Sequence, residues 1–165
     1  MDENSCAGES NVATEHLLTS KPENLRWGAF SSEFEPVLEV ESGDRVTIET
    51  ISGGPDQLPD GARENLLPDH EAFIASNKPI LPGHIMTGPV AVKGAEPGDV
   101  LEVRIIDVKL RQDWAWNMMM PLKGALPEDF PVRRVINIPL DRDSMVATLP
   151  WGVELPCNPF FGVMG

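Results

Sequence analysis

Residues 36–52 read PVLEVESGDRVTIETIS, two runs rich in β-branched side chains on either side of Glu41-Ser42-Gly43-Asp44. Gly43 can take the positive φ that a tight turn needs, so the stretch predicts a β-hairpin. Outward from it the same grammar repeats. GPVAV (88–92), the turn-rich KGAEPGD (93–99) and VLEVRIIDVKL (100–110) predict strand, turn and strand, with Leu101, Val103 and Ile105 alternating against Glu102 and Arg104. Past Ile105 the apolar positions become Ile106, Val108 and Leu110, and that change of face predicts a bulge or a strand that changes sheets. Short strands follow over 132–138, 145–149 and 152–155, separated by Pro139, Pro150 and Pro156. The one helical stretch is 62–77, which Pro68 splits into short turns. Together these predict an all-β domain, a β-sandwich or barrel-like arrangement of many short strands with little helix.

The domain runs over residues 16–165, behind an acidic, disordered arm at 1–15 whose first dozen residues have nothing periodic to bury. Composition agrees. The 165 residues are 41% hydrophobic, enough for a core, and 16 prolines with 14 glycines leave little room for long helices. With 26 acidic against 13 basic side chains, the net charge of −13 repels phosphate, which disfavours nucleic acid and anionic membrane surface as partners. No apolar run approaches the roughly 18 residues of a membrane span, and the acidic start MDENSC is unlike a secretory signal. A cytoplasmic location follows, where Cys6 and Cys157 stay as free thiols.

Neither G-x-S-x-G, H-E-x-x-H, G-x-G-x-x-G nor a phosphate-binding P-loop is present, which removes the common hydrolase and nucleotide signatures. Three histidines and many carboxylates remain. His84 stands in LPGHIMTGPV between Pro82-Gly83 and Gly88-Pro89, a rigid mount for a ligand or a general base, or equally for a histidine that only bonds loop backbone. Asp56 follows Gly53-Gly54-Pro55, where close backbone approach is easy; its carboxylate could bind a metal, take a proton, or close an Asx turn. His70, in Pro-Asp-His-Glu, reads as solvated turn, and His16 at the edge of the arm has no assigned role. Trp114 and Trp116, two apart in DWAWNMMM, face one side of a strand together with Met118 and Met120, as core, subunit contact or pocket wall.

With these segments in view, the chain resembles the acetamidase/formamidase family of amide hydrolases. The matching text is RWGAF, PVLEVESGDRVTIETISGGP, HIMTGPVAVKGAEPGDVLEV, the DWAWN region with GALPEDFP, and LPCNPFFGVMG. The resemblance implies hydrolysis of a small aliphatic amide, such as acetamide or formamide, to a carboxylate and ammonia. It also implies a homo-oligomer, and it admits a divalent metal, zinc or calcium. By this resemblance His84 takes the family's histidine position as ligand or base, Asp56 falls in the Gly-rich site loop as a second catalytic or metal-binding candidate, and Thr87, the third catalytic candidate, places a hydroxyl beside the pocket to orient substrate or brace the loop. The family pattern continues past FFGVMG into a second half with its own His, Asp and Glu residues. The sequence therefore predicts a truncated domain that needs a companion chain to complete its site, or else a non-catalytic β domain that folds, self-associates or binds a small ligand. Phe160, Phe161, Val163 and Met164 are expected to be exposed or covered by a neighbouring copy.

Overall fold

The computed structural model describes residues 13–59, 61–76, 81, 83–160 and 162–165, with the side chains of Ala62 and Arg63 set aside. Most of the predicted arm, with Cys6, and also Phe161 lie outside the described residues. The described chain is built of short strands with one α-helix, as the alternation and the Pro/Gly content predict. In chain order the strands are β1 (Glu15–Leu18), β2 (Leu25–Trp27), β3 (Leu38–Val40), β4 (Arg45–Ile48), β5 (Ile85–Thr87), β6 (Val90–Val92), β7 (Trp114–Met119), β8 (Arg134–Asp141), β9 (Val146–Thr148) and β10 (Glu154–Pro156). The helix, α1, spans Pro68–Ser76. Pro68 starts this helix instead of splitting it, because the first turn needs no hydrogen bond from its missing N–H.

Three two-stranded sheets and one four-stranded sheet result. β1 pairs with β4 and β3 with β6, both parallel, while β2 pairs antiparallel with β5. The fourth sheet is an antiparallel meander in the order β10-β9-β8-β7. No barrel closes among the described residues. β8 runs through Pro139, which the sequence reading makes a strand end. The ladder tolerates it there because β8 changes partner at this point: Pro139 faces Trp114 of β7, and Leu140 and Asp141 face β9.

The hairpin expected over 36–52 does not form. Its turn does: the Asp44 N–H donates to the Glu41 carbonyl at 3.1 Å, and Gly43 has φ +96°. The flanking strands then separate, β3 to β6 and β4 to β1. The Asp44 carboxylate explains the choice for β4. It accepts the N–H groups of Glu41 and Thr14, each at 2.9 Å, and His16 Nε2 at 2.9 Å, which draws β1 alongside β4. These bonds, first the one from Glu41, then those from His16 and Thr14, lower the Asp44 pKa from 3.8 to about 2. The carboxylate's contribution to the β1–β4 pairing is therefore complete above about pH 4 and is lost as pH falls towards 2. A carbon-detected NMR titration is expected to place the Asp44 midpoint near 2, with the Thr14 and Glu41 amides moving over the same window. A midpoint near 4 would show that the turn is not held this way.

The core lies in the first half of the chain. Leu25, Trp27, Ile51 and Phe73 are buried together, with Leu67, Ile74 and Ile85 packed against them. Alternation in β2, buried-half-buried-buried, puts Leu25 and Trp27 on that face and Arg26 off it. The strand predicted over 101–110 joins no ladder, and its apolar side chains are mostly exposed, for want of a neighbouring strand among the described residues. Phe160, Val163 and Met164 are exposed as expected. No described helix is long and apolar enough to cross a membrane, and Cys157 is a free thiol.

Candidate active site

Trp27 ends β2 with its indole buried in the core, and two loops rest on it. Its ring stacks on Phe73 of α1, with centroids 5.6 Å apart and planes at 28°. Its Nε1–H donates to the carbonyl of Gly83, 3.3 Å away, and so holds the loop that leads into His84. Its six-membered ring lies against Gly54, where a Cβ would come within 2.9 Å of Cζ2. Only glycine lets the 53–57 loop approach so closely, which is the reason for glycine ahead of Asp56. One indole is thus the common mount of the two loops that carry Asp56 and His84.

Within the first loop, Gln57 closes the turn from both sides: its N–H donates to the Gly54 carbonyl at 2.9 Å, and its Oε1 accepts the Gly54 N–H at 3.0 Å. Arg133 donates to the main-chain carbonyl of Asp56 at 2.9 Å. The Asp56 carboxylate stays exposed and unbonded among the described residues, as does the His84 imidazole. His84 is tethered through its backbone, its carbonyl accepting the Gly28 N–H at 3.1 Å. Thr87, at the end of β5, donates its hydroxyl to the Glu49 carbonyl at 2.9 Å and so ties β5 to the end of β4. The motif then ends in a cis Gly88–Pro89 peptide.

His70 differs from its sequence reading. It is not solvated turn but 2% exposed, with Nε2 2.8 Å from the Gly53 carbonyl. A carbonyl only accepts, so Nε2 carries the proton and donates it. The signal was present: once Pro68 is taken as a helix start, His70, Phe73 and Ile74 fall on one face at i, i+3 and i+4. Trp114 and Trp116 both reach the same region. Trp114 Nε1 donates to the Asn65 carbonyl at 2.9 Å, and Trp116 lies against Gly53, where a Cβ would meet its Cζ2 at 2.8 Å. The Gly53-Gly54 backbone is therefore clamped between Trp27 and Trp116 and anchored by His70.

The arrangement gives two exposed groups able to take a proton from water, on loops fixed from behind by aromatic rings. It does not by itself make a metal centre. Among the described residues no three His, Cys, Asp or Glu side chains gather to hold an ion. A catalytic zinc takes three protein ligands and calcium six or more oxygens, so His84 and Asp56 fall short of either set.

The comparisons with known proteins point one way. A crystal structure of an acetamidase from Bacillus halodurans superposes with a TM-score of 0.62 and 26% sequence identity, over 85% of this chain and 42% of that one. A protein of Schizosaccharomyces pombe named as a formamidase is 33% identical over 97 residues, which are 56% of this chain and 22% of the relative. The chain thus spans less than half the length of either. The model of the Acetamidase/Formamidase family matches residues 14–165, nearly all of the sequence. On that match, with the HIMTGP and Gly-Gly-Pro-Asp loops mounted on one buried indole, the chain belongs to the acetamidase/formamidase family.

Proposed function

We propose that this chain carries part of the site of an amide hydrolase that releases ammonia from a small aliphatic amide, acetamide or formamide. The observation that carries the reading is the shared mount: Trp27 contacts both Gly83, beside His84, and Gly54, two residues before Asp56. Family membership supplies the reaction class, and the relatives named for acetamide and formamide supply the substrates.

In this reading a water molecule attacks the amide carbonyl while His84, or Asp56 in its place, takes the proton. The same group then returns it to the departing nitrogen, so that ammonia leaves and a carboxylate remains. Thr87 serves the reaction indirectly, its hydroxyl committed to Glu49 and bracing the strand that follows His84. A divalent ion would need ligands beyond those gathered among the described residues, and no step is assigned to it.

Ammonia release from acetamide and formamide, assayed with the 165-residue chain, tests the reading. Of His84→Ala and Asp56→Asn, the change that removes the base is expected to lower the rate about 10²- to 10⁴-fold with folding unchanged, since both side chains are exposed. A rate untouched by either change would sink the assignment. No ammonia from a folded chain, with or without zinc or calcium, would favour the other reading, in which this chain alone is a non-catalytic β domain.

A further inference from the structure

Residues 100–110 have a strand's sequence and no strand's partners. Leu101, Val103 and Ile105 alternate with Glu102 and Arg104, whose side chains pair at 2.6 Å on the opposite face. Among the described residues no backbone N–H or carbonyl of 100–110 bonds to other backbone. The apolar face is open, with Leu101 69%, Val103 52% and Ile105 54% exposed. Isolated extended chain of this kind has neither backbone hydrogen bonds nor buried area to hold it. Where the segment continues, an open groove of about 960 Å³ separates Asp107–Leu110 from Leu140–Asp143, space that side chains of a packed domain would fill.

The total surface gives the scale of what is uncovered. A folded monomer of 18.1 kDa exposes about 8,100 Å² by the usual scaling, whereas this chain exposes 12,728 Å². The twelve residues before Ala13, even fully extended, would expose about 1,800 Å², less than half of the excess. Loss of an ordinary partner uncovers about 800 Å² per side, so the excess has the scale of a divided core, not of a dimer contact. The acetamidase of Bacillus halodurans supplies the matching quantity: more than half of its chain has no counterpart here.

We propose that residues 100–106 are an inner strand of the amidase fold, and that their partner is a polypeptide equivalent to the unmatched portion of the acetamidase. That polypeptide pairs with the free backbone edges and covers Leu101, Val103 and Ile105. A second copy of this chain is the weaker occupant, because a two-fold contact pairs one edge of a strand and leaves the other open. The proposal rests on family membership and not on amide hydrolysis, so strand pairing and ammonia release can fail separately.

Hydrogen exchange read by mass spectrometry tests it on two proteins: the 165-residue chain, and a fusion that joins it to the unmatched portion of the Bacillus halodurans acetamidase. The amides of 100–106 are expected to exchange at the unprotected rate in the chain alone and at least 100-fold more slowly in the fusion. Slow exchange of the β7–β8 amides in both proteins is the control for folding. Two results would overturn the proposal. One is unprotected 100–106 amides in a fusion whose β7–β8 ladder is intact. The other is protection already present in the chain alone, which sedimentation would assign to a second copy if the mass is doubled and to the chain itself if it is not.

Discussion

Trp27→Ala is expected to cost about 3–5 kcal/mol, a large share of the 5–15 kcal/mol that holds a typical domain. The side chain is 7% exposed in the buried core cluster, and its removal leaves a cavity bounded by Phe73, Leu25 and Ile51. The stack on Phe73 is lost with it, as is the bond to the Gly83 carbonyl. Any amide hydrolysis should fall by more than the unfolded fraction explains, since the loops of Asp56 and His84 lose their common support. Trp27→Phe separates the contributions: it keeps an aromatic ring against Phe73 and removes the N–H donor, for a cost of about 1–2 kcal/mol. Urea unfolding of the three proteins measures both. A Trp27→Ala loss below about 1 kcal/mol would show that the indole is not the mount described.

The second large effect is expected at Gly28, immediately after that tryptophan. Its φ is +80°, and a Cβ there would lie 1.9 Å from the Leu81 carbonyl oxygen, with the Leu81 carbon and nitrogen at 2.7 and 2.8 Å. All three atoms are backbone and cannot rotate away, so the 81–84 loop must move and the Gly28 N–H to His84 bond must break. Gly28→Ala is expected to destabilise by about 2–4 kcal/mol, made up of the left-handed backbone penalty of about 1–2 kcal/mol and the steric displacement. Gly43→Ala provides the comparison, because Gly43 has φ +96° and nothing within 4 Å of the added carbon. That change should cost only the backbone penalty. Equal losses at the two positions, read from urea midpoints, would mean that the 28–81 approach is not tight.

Local readings of the sequence held where the cause was local. Turn chemistry at Glu41–Asp44 and the period-two alternation gave strands in nearly the right places, and the proline and glycine content left one nine-residue helix. Trp114 and Trp116 lie two apart in one strand, β7, as the sequence reading has them. Pro68 and His70 were misread locally, as a break and a solvated turn where a helix starts, whereas the errors of strand pairing share a long-range origin. Which strand lies beside which is a long-range matter: Asp44 binding Thr14 and His16 sends β4 to β1, thirty residues back, and nothing within 36–52 reveals this. Likewise the alternation over 101–110 describes a strand faithfully but cannot say whether a neighbour exists.

The candidate site divides in the same way. Sequence by itself determined the family-like motifs, the loops that hold His84 and Asp56, the acidic charge and the all-β class, because each depends on residue type, near-neighbour spacing or composition. Only the tertiary structure decided that Trp27 carries both loops, that His70 is a buried anchor of Gly53, and that Thr87 is spent on a brace. Those roles depend on distances between residues 17 to 56 positions apart, set by how strands and helix pack, and no pattern along the chain encodes them one segment at a time.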